Sequence, residues 1–385
     1  MAAAVTCIGL ALSAVGCGGH SRHAHTGSAT LSIYTSLPFE GPYAADAEAI
    51  FNGEQLALAQ AGGQVSGSKV VLRRLDDAIA GTGSSPTLVA QSARTAAGDQ
   101  STVAYIGELT PGSSSTSISI LGPAGILQVS PGDTATGLAG KTFARVVPRD
   151  SDEADAQLAA LAKLGVKRIY LVEDRTTHGR DVAAAVLHDA VNYGIRVVDP
   201  FGKYLRDDTR ALVRAIKKSR AGALLYAGSP APPVAAFWNA LSAADGTIKK
   251  MASASITDAP SWAQANATAR YSTYLSAPGL RPGVLPRAGT QFASDFTATY
   301  GTRVPWARGI FGYVAMSGVL EALHSLGSRA TNPRPRVALA FLHLRDLPSA
   351  LGTYSIVGGQ TSFRGYYFTA YHRGSAAPTP DTSLS

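Results

Sequence analysis

Cysteine is scarce in this chain, and its positions restrict the available chemistry. Only two of the 385 residues are cysteine, Cys7 and Cys17, and both lie near the N-terminus in a mostly apolar stretch. If that stretch is removed as a leader, no cysteine pair remains for a disulfide bond and no thiolate cluster remains for a metal ion. The fold must therefore be stabilised by an ordinary hydrophobic core.

Charge is also sparse, and it forms no dense block. Charged residues make up 16% of the chain, and the formal net charge of +8 comes from scattered basic pairs such as Arg73-Arg74 and Lys217-Lys218. Because no basic run is interleaved with aromatic residues, nucleic acid is not expected as a partner. The scattered charge is typical of a solvated surface, with contact to anionic lipid as the alternative.

The N-terminus reads as a processed leader. Residues 2–16 are nearly all apolar or small, and they end in Ala14-Val15-Gly16 directly before Cys17. This run is too short for a permanent membrane span and predicts a signal peptide over residues 1–17. The small residues before Cys17 resemble a lipobox, so we expect a lipid on Cys17 that anchors the chain to the membrane. Ala14 stands where Leu is usual, and an ordinary cleaved signal is the alternative.

Small and polar residues predict two segments without a fold. Residues 18–29 form a predicted flexible tether, since this composition cannot bury enough apolar surface to fold. Its three histidines could bind a metal ion loosely, but a solvated linker is the preferred interpretation, and no metal site is expected. Residues 375–385 are predicted to be a disordered tail for the same reason.

The stretch from Ile33 to Asp77 carries the clearest pattern. A β-branched and aromatic run predicts a strand, which is followed by a Pro/Gly loop at residues 38–42 and by a helix with apolar residues at the 3.6-residue period. The helix ends at Gly62-Gly63, and a second strand leads to Asp76-Asp77. In such βαβ units, ligands bind at the carboxyl ends of the strands.

This stretch resembles the opening of the leucine/isoleucine/valine-binding protein family, the extracytoplasmic solute receptors of ABC transporters. The resemblance rests on an ordered set of residues, namely Pro38, Gly41-Pro42, Asn52-Gly53, Ala61-Gly62-Gly63, Gly67 and Asp76-Asp77. It implies an α/β chain with the two-lobed type I periplasmic-binding fold, in which each lobe is a parallel sheet flanked by helices. It also implies an interleaved chain, with lobe 1 formed by residues 30–147 plus 278–348 and lobe 2 by residues 148–277 plus 349–374.

The alternation of strand and helix signals over about 240 residues fits that fold. Short apolar runs such as 103–106, 168–172 and 223–226 read as buried strands of parallel sheets, and amphipathic segments between them read as helices. Length alone also favours two domains.

Five residues are candidates for ligand contact. Gly112-Ser113-Ser114 opens a predicted helix, whose free N–H groups and dipole favour an anion. The resemblance assigns Ser113 to the ligand's carboxylate, and Gly132 and Thr134 to its amino-acid group, while simple capping or a turn around Asp133 is the alternative. In lobe 2 the matching positions are His178, where the family usually has Tyr, and Ser229, where an aromatic residue is common.

The resemblance also implies an acid near Ala254 to pair with a ligand ammonium, and none is present there. A desolvated ammonium without a charge partner weakens binding by several kcal/mol. Either another acid serves (Glu40, Asp46, Asp133 or Asp258), or the ligand is not a plain α-amino acid. The second interpretation, a small carboxylate, amide or aromatic acid, is slightly preferred.

Enzymatic motifs do not meet their structural requirements. Residues 135–142 fit a relaxed phosphate-loop pattern, but the run after Thr142 reads as a strand where that motif needs a helix. No G-x-S-x-G elbow is present for a hydrolase. The sequence therefore predicts a monomeric solute receptor without enzymatic activity or cofactor, which delivers a small molecule to an ABC permease. A ligand-sensing component of the same fold is the alternative, and an extracytoplasmic hydrolase is the third.

Overall fold

The computed structural model describes residues 30–79, 83–199, 203–204, 208–301, 306–327 and 333–384. The predicted signal peptide, the lipid-attachment residue Cys17 and the tether over residues 18–29 lie outside this part of the chain. Within it, the strands form two separate main sheets, each flanked by helices, which confirms the predicted two-lobed α/β fold.

The α-helices are α1 (Ala44–Gln60), α2 (Pro86–Gly98), α3 (Ser114–Leu121), α4 (Asp150–Lys163), α5 (Thr177–Asp189), α6 (Thr209–Ser219), α7 (Pro233–Ala244), α8 (Ala267–Arg270), α9 (Arg287–Tyr300), α10 (Trp306–Leu326) and α11 (Arg334–Leu342). The strands are β1 (Thr30–Leu37), β2 (Gln64–Val65), β3 (Ser68–Asp76), β4 (Ala78–Ile79), β5 (Gly83–Ser84), β6 (Thr102–Ile106), β7 (Leu127–Ser130), β8 (Phe143–Arg145), β9 (Arg168–Glu173), β10 (Arg196–Val197), β11 (Lys203–Tyr204), β12 (Ala223–Ala227), β13 (Lys249–Ser253), β14 (Thr273–Pro278), β15 (Leu347–Ser349), β16 (Gly352–Tyr354), β17 (Ile356–Val357), β18 (Gln360–Thr361), β19 (Tyr366–Ala370) and β20 (Thr379–Pro380).

Lobe 1 is built on a six-stranded sheet with the order β2-β3-β1-β6-β7-β8. All neighbours pair in parallel except β2 and β3, which form a hairpin. Its central strands are buried on both faces, which explains why they read as continuous apolar runs. The carboxyl ends of β1, β6 and β7 therefore meet at one edge of the sheet.

Lobe 2 is built on a second sheet with the order β10-β9-β12-β13-β14-β19-β20, and β11 also pairs with β9. Side chains alternate between its two faces, as the pleat requires. Tyr170 and Val172 of β9 belong to one core cluster, and Ile169 and Leu171 belong to the other. The carboxyl ends of β9, β12 and β13 share one edge of this sheet.

The third crossing between the lobes lies later than the resemblance implied. The core of lobe 1 contains Ala350, Leu351, Tyr354 and Ile356, and Phe363 packs against it. After β14, the chain does not pair with the sheet of lobe 2 again until β19. The assignment of the whole segment 349–374 to lobe 2 is therefore wrong, because residues 347–361 form two hairpins that stay on lobe 1.

The expectation of a disordered tail from residue 375 is also wrong for the residues described. β20 pairs antiparallel with β19, and Leu384 is only 4% exposed within a core cluster of lobe 2. The ammonium group of Lys163 donates to the carbonyl of Leu384 over 3.3 Å. Backbone pairing at the sheet edge compensates for a composition that offers few apolar side chains.

Helices α1 and α10 cross in the core of lobe 1 with almost no space between their backbones. A Cβ atom at Gly312 would lie 2.0 Å from the carbonyl oxygen of Ile50, and one at Gly53 would lie 2.0 Å from that of Gly309. Glycine is required at both positions because any side chain would collide with the opposite backbone. Among the described residues, α10 is the one helix long and apolar enough to span a membrane, and it is mostly buried in this core.

Candidate functional site

A cleft between the two lobes has a cavity volume of about 60 Å³, which leaves room for a few water molecules. It lies where the carboxyl ends of the strands of both sheets face each other. The lining comes from both lobes and consists of Tyr43, Asp46, Leu109, Pro111, Gly132, Thr134, Glu153, His178, Ser229, Ser253, Ser255, Pro278, Arg308 and Tyr366.

Four of the five predicted contact residues lie in this lining. Gly132 and Thr134 follow β7 in lobe 1, while His178 opens α5 and Ser229 follows β12 in lobe 2. Gly132 lies so close to Leu109 that a Cβ atom would approach the Leu109 side chain to 2.3 Å, so glycine shapes this wall. Ser113 is not part of the lining.

The N-terminus of α3, the predicted anion site, already holds a carboxylate of the chain itself. Asp133 accepts hydrogen bonds from the backbone N–H groups of Gly112 (2.7 Å), Ser114 (2.8 Å) and Ala135 (3.1 Å). Burial raises the pKa of Asp133 to about 6, although these three N–H donors favour the charged form. An Asx-type turn is therefore present, in which the Asp133 carboxylate accepts from the Ala135 N–H. The same carboxylate also accepts from the two N–H groups at the start of α3.

His178 is held between two carboxyl groups of α4. Its Nδ1 lies 2.7 Å from Asp150 Oδ1, and its Nε2 lies 3.9 Å from Glu153 Oε2. Burial alone would lower the pKa of His178, but the negative charge of Asp150 and Glu153 raises it to about 9. The ring is therefore an imidazolium at neutral pH, with a proton to donate on each nitrogen.

Glu153 is a cleft residue that the sequence did not indicate. It is 3% exposed, and its Oε1 accepts hydrogen bonds from Ser276 (2.6 Å) and Gln157 (3.3 Å). Burial raises its pKa, while the charge of His178 lowers it. An acid in the first turn of a helix ordinarily indicates a favourable interaction with the helix dipole. Nothing in the local sequence therefore distinguished Glu153 from Asp150 and Asp152, the other acids of that turn.

Lobe 1 contributes an ion pair to the cleft, between Asp46 of α1 and Arg308 of α10. The Arg308 Nε atom lies 3.1 Å from Asp46 Oδ2, and Asp46 raises the pKa of Arg308. Asp258 at the rim of lobe 2 interacts electrostatically with both. Asp46 and Asp258 were among the acids considered from sequence, whereas Arg308 was not, because it lies far along the chain within an apolar helix.

One group among the described residues has the donor set and spacing of a metal site. The ligand atoms of Asp150, Glu153 and His178 all lie within 4.8 Å of one another. Carboxylate and imidazole ligands suit a divalent transition metal. The same three groups also form the ion-pair network described above, with the imidazolium as the cation.

A sequence model of the periplasmic binding protein family matches residues 33–371, which is most of the chain. The chain belongs to this family. Membership implies an extracytoplasmic location, and the family consists of binding proteins. No curated protein matches the sequence.

Solved structures of other periplasmic binding proteins share the fold at low sequence identity. The leucine-binding protein LivK of Thermotoga maritima is 20% identical, covers 91% of this chain and 98% of its own, and has a TM-score of 0.76. LivJ of Streptococcus pneumoniae, in complex with isoleucine, is 17% identical with coverage of 91% and 99% and a TM-score of 0.75. A solute-binding protein of an ABC transporter from R. palustris, in complex with benzoate, is 17% identical with coverage of 91% and 96% and a TM-score of 0.73.

This periplasmic binding protein has a conformation in which the lobes touch across the cleft. The backbone N–H of Thr136 in lobe 1 donates to Asp181 Oδ2 in lobe 2 over 2.7 Å. Tyr43 of lobe 1 and Ser229 of lobe 2 also lie close together in the cleft lining, and Ser229 counteracts the rise in the pKa of Tyr43 that burial causes. These contacts favour the closed arrangement over an open one.

Replacement of Asp181 by alanine is expected to weaken solute binding about tenfold, because a hydrogen bond to a charged group contributes about 1.5 kcal/mol and this one exists only when the lobes are closed. Calorimetric titration with a solute that raises the melting temperature of the protein measures the change. Asp189→Ala is the matched control, since Asp189 lies on the same helix and pairs with exposed His188. Equal affinities for the two variants would contradict a role of Asp181 in closure.

Proposed function

We propose that the protein is the extracytoplasmic substrate-binding receptor of an ABC transporter and captures a small polar solute between its lobes. The observation that carries this proposal is the cleft, which both lobes line with charged and hydroxyl side chains. A ligand that contacts both lobes stabilises the closed state over the open one. The closed form would present a surface to the membrane permease.

The ligands of structural neighbours support a small solute. Two of the neighbours are complexes with isoleucine and benzoate, and LivK is described as a leucine-binding protein. These molecules are of similar size but differ in charge and shape. They support a solute of about this size for the present chain. The charge and hydrogen-bonding groups of the cleft bear on the chemistry of that solute.

The cleft offers partners that the sequence interpretation missed. Gly132, Thr134, His178 and Ser229 remain the proposed contacts from the sequence, and Glu153 joins them as an acid in the cleft. The missing acid near Ala254 therefore does not by itself exclude a ligand with an amino group. Ser113 is a weaker proposal because Asp133 occupies the neighbouring N–H groups.

We also propose that a lipid on Cys17 anchors the receptor to the outer face of the membrane. The support is the run of small residues before Cys17. In a bacterial host that carries the lipidation enzymes, labelled palmitate should enter the protein, and Cys17→Ala should abolish the label. Incorporation into the variant would contradict the proposal.

A thermal-shift screen tests the receptor function. A ligand that binds only the folded chain at 100 times its Kd adds about 2.7 kcal/mol to the free energy of unfolding. We expect at least one solute from a panel of amino acids, amines, amides and aromatic acids to raise the Tm by several degrees. A folded sample that responds to none of them would count against a solute receptor.

A further inference from the structure

The charges of the described residues around the cleft do not balance. Two cations, Arg308 and His178, face three carboxyl groups, which belong to Asp46, Asp150 and Glu153. Burial raises the pKa of the nearby Asp258 carboxyl to about 7, so at neutral pH it adds only part of a negative charge. Behind this set, Arg145 is fully buried near Asp133, so those two charges offset each other. The closed cleft therefore holds more carboxyl groups than cations, and a bound cation would compensate the excess.

One carboxylate oxygen is positioned to receive such a cation. Glu153 lines the cleft, and only 3% of its surface is exposed. Its Oε1 is hydrogen-bonded to Ser276 and Gln157, whereas Oε2 has no hydrogen bond to any described residue. The nearest described cationic atom is His178 Nε2, at 3.9 Å, beyond hydrogen-bond distance.

The main backbone site for an anion is already filled. Asp133 takes the N–H groups of Gly112 and Ser114 at the start of α3. A solute carboxylate at that position would meet a buried carboxylate of the protein. Arg308, the only cation that the described residues of lobe 1 contribute to the cleft lining, is paired with Asp46. The cleft therefore offers an anion only Arg308 and His178, whose charges are already offset by Asp46, Asp150 and Glu153.

We propose that the solute of this receptor is an organic cation with net positive charge, a primary amine or guanidinium whose N–H groups donate to Glu153 Oε2. This inference rests on the proposed receptor function and specifies its substrate class. Tyr43 and Tyr366 also line the cleft, and the ring of a tyrosine is a surface on which a cation is favourable.

A divalent metal ion is the competing cation, since Asp150, Glu153 and His178 could coordinate one. Asp150 Oδ1 lies 2.7 Å from His178 Nδ1, which leaves only Nε2 of the ring for a metal ion. Ser276 and Gln157 already occupy Glu153 Oε1. These contacts leave Glu153 Oε2 for an N–H donor of an organic cation, and metal binding is an outcome that the experiment must be able to detect.

Calorimetric titration of the purified chain with five probes decides between these possibilities. The probes are agmatine and putrescine as cations, leucine as a zwitterion, benzoate as an anion, and zinc chloride. We expect agmatine or putrescine to bind at least tenfold more tightly than leucine and benzoate. Tighter binding of leucine or benzoate would overturn the cation inference and leave the receptor function intact. Binding of zinc alone would overturn it in favour of a metal, and no binding by any probe would count against both proposals.

Glu153→Gln tests the contact itself. The amide keeps an acceptor for Ser276 and Gln157 but removes the negative charge, so the affinity for the organic cation should fall at least 30-fold. Glu48→Gln is the matched control, because Glu48 is an exposed acid on α1 that pairs with Arg74, and it should bind like the unaltered chain. Unchanged affinity of a folded Glu153→Gln variant would overturn the assignment. Should that variant not fold, the probe panel on the unaltered chain still decides the charge of the solute.

Discussion

Gly312→Ala is expected to destabilise the protein by at least 3 kcal/mol, which lowers the Tm by roughly 6 to 12 °C for a lobe of this size. The new Cβ atom would lie 2.0 Å from the carbonyl oxygen of Ile50, a backbone atom that cannot move aside as a side chain does. Helices α1 and α10 would have to separate, and the core of lobe 1 would lose its packing. Thermal denaturation followed by circular dichroism measures the effect.

Gly98→Ala is the matched control for this substitution. Gly98 ends α2, its φ is not positive, and a Cβ atom added there would find no atom within 4 Å. Alanine there should be neutral or stabilise by about 0.5 to 1 kcal/mol through a lower unfolded-state entropy. Because α1 and α10 carry Asp46 and Arg308, the Gly312 variant should also lose solute binding before it unfolds. Equal Tm values for the two variants would show that the helices are not in close contact.

His178 and Asp133 alone are expected to lower the free energy of unfolding by about 3 kcal/mol between pH 5 and pH 8. His178 has a folded-state pKa of about 9 against 6.5 unfolded, so its stabilising contribution is complete below pH 6.5 and is lost as the pH rises toward 9. Asp133, with a pKa raised by burial to about 6, contributes in the same direction between pH 4 and pH 6. In both cases the folded chain binds more protons, so its stability decreases as the pH rises.

Other buried groups act in the same direction or outside this range. Burial raises the pKa values of Glu54 and Glu108 well above the ordinary range, so they also favour the folded state at lower pH. Burial lowers the pKa of Lys250 to about 8, so its charged form costs the folded state a constant amount below pH 8, and this cost is relieved only as the pH rises above 8. The window from pH 5 to pH 8 therefore isolates the acidic groups and His178.

Urea unfolding at pH 5, 6.5 and 8 measures this dependence. His178→Gln should flatten the curve above pH 6.5 and lower the stability at pH 5, since it leaves two buried carboxyl groups without their cation. His324→Gln is the control at an exposed position of α10 and should reproduce the original curve. A free energy of unfolding that stays constant or rises from pH 5 to pH 8 would contradict the proposed charge states.

The sequence predicted the elements whose signals are local. Buried strands such as β6 and β9 are short apolar runs, and the strand after Thr142, rather than a helix, is confirmed by β8. The third lobe crossing was misplaced because a turn-rich stretch near Pro348 has the same composition whether it leads to another lobe or to a hairpin on the same one. Only the packing of Ile356 on lobe 1 distinguishes the two.

Cleft residues were predictable where they follow a strand or begin the next helix, as His178 does, and obscure where they lie further inside a helix. Gly132, Thr134 and Ser229 each follow a strand at its carboxyl end, and they do line the cleft. Glu153 and Arg308 lie inside helices whose sequence gives no sign that they face another lobe. The occupation of the α3 terminus by Asp133 was equally hidden, because the contact joins residues 19 and 21 positions apart.

The interleaved course of the chain affects how the protein can be made. Lobe 1 needs α9, α10 and α11 to cover its sheet. More than 100 residues, which belong to lobe 2, separate these helices from the five parallel strands of that sheet. Lobe 2 in turn needs β19, which is synthesised after all of them. Neither lobe can complete its core on the ribosome before the other is made, so the face of the lobe 1 sheet that α9 to α11 cover stays exposed until nearly the whole chain has emerged. Biogenesis should therefore depend on chaperones that hold the nascent chain unfolded.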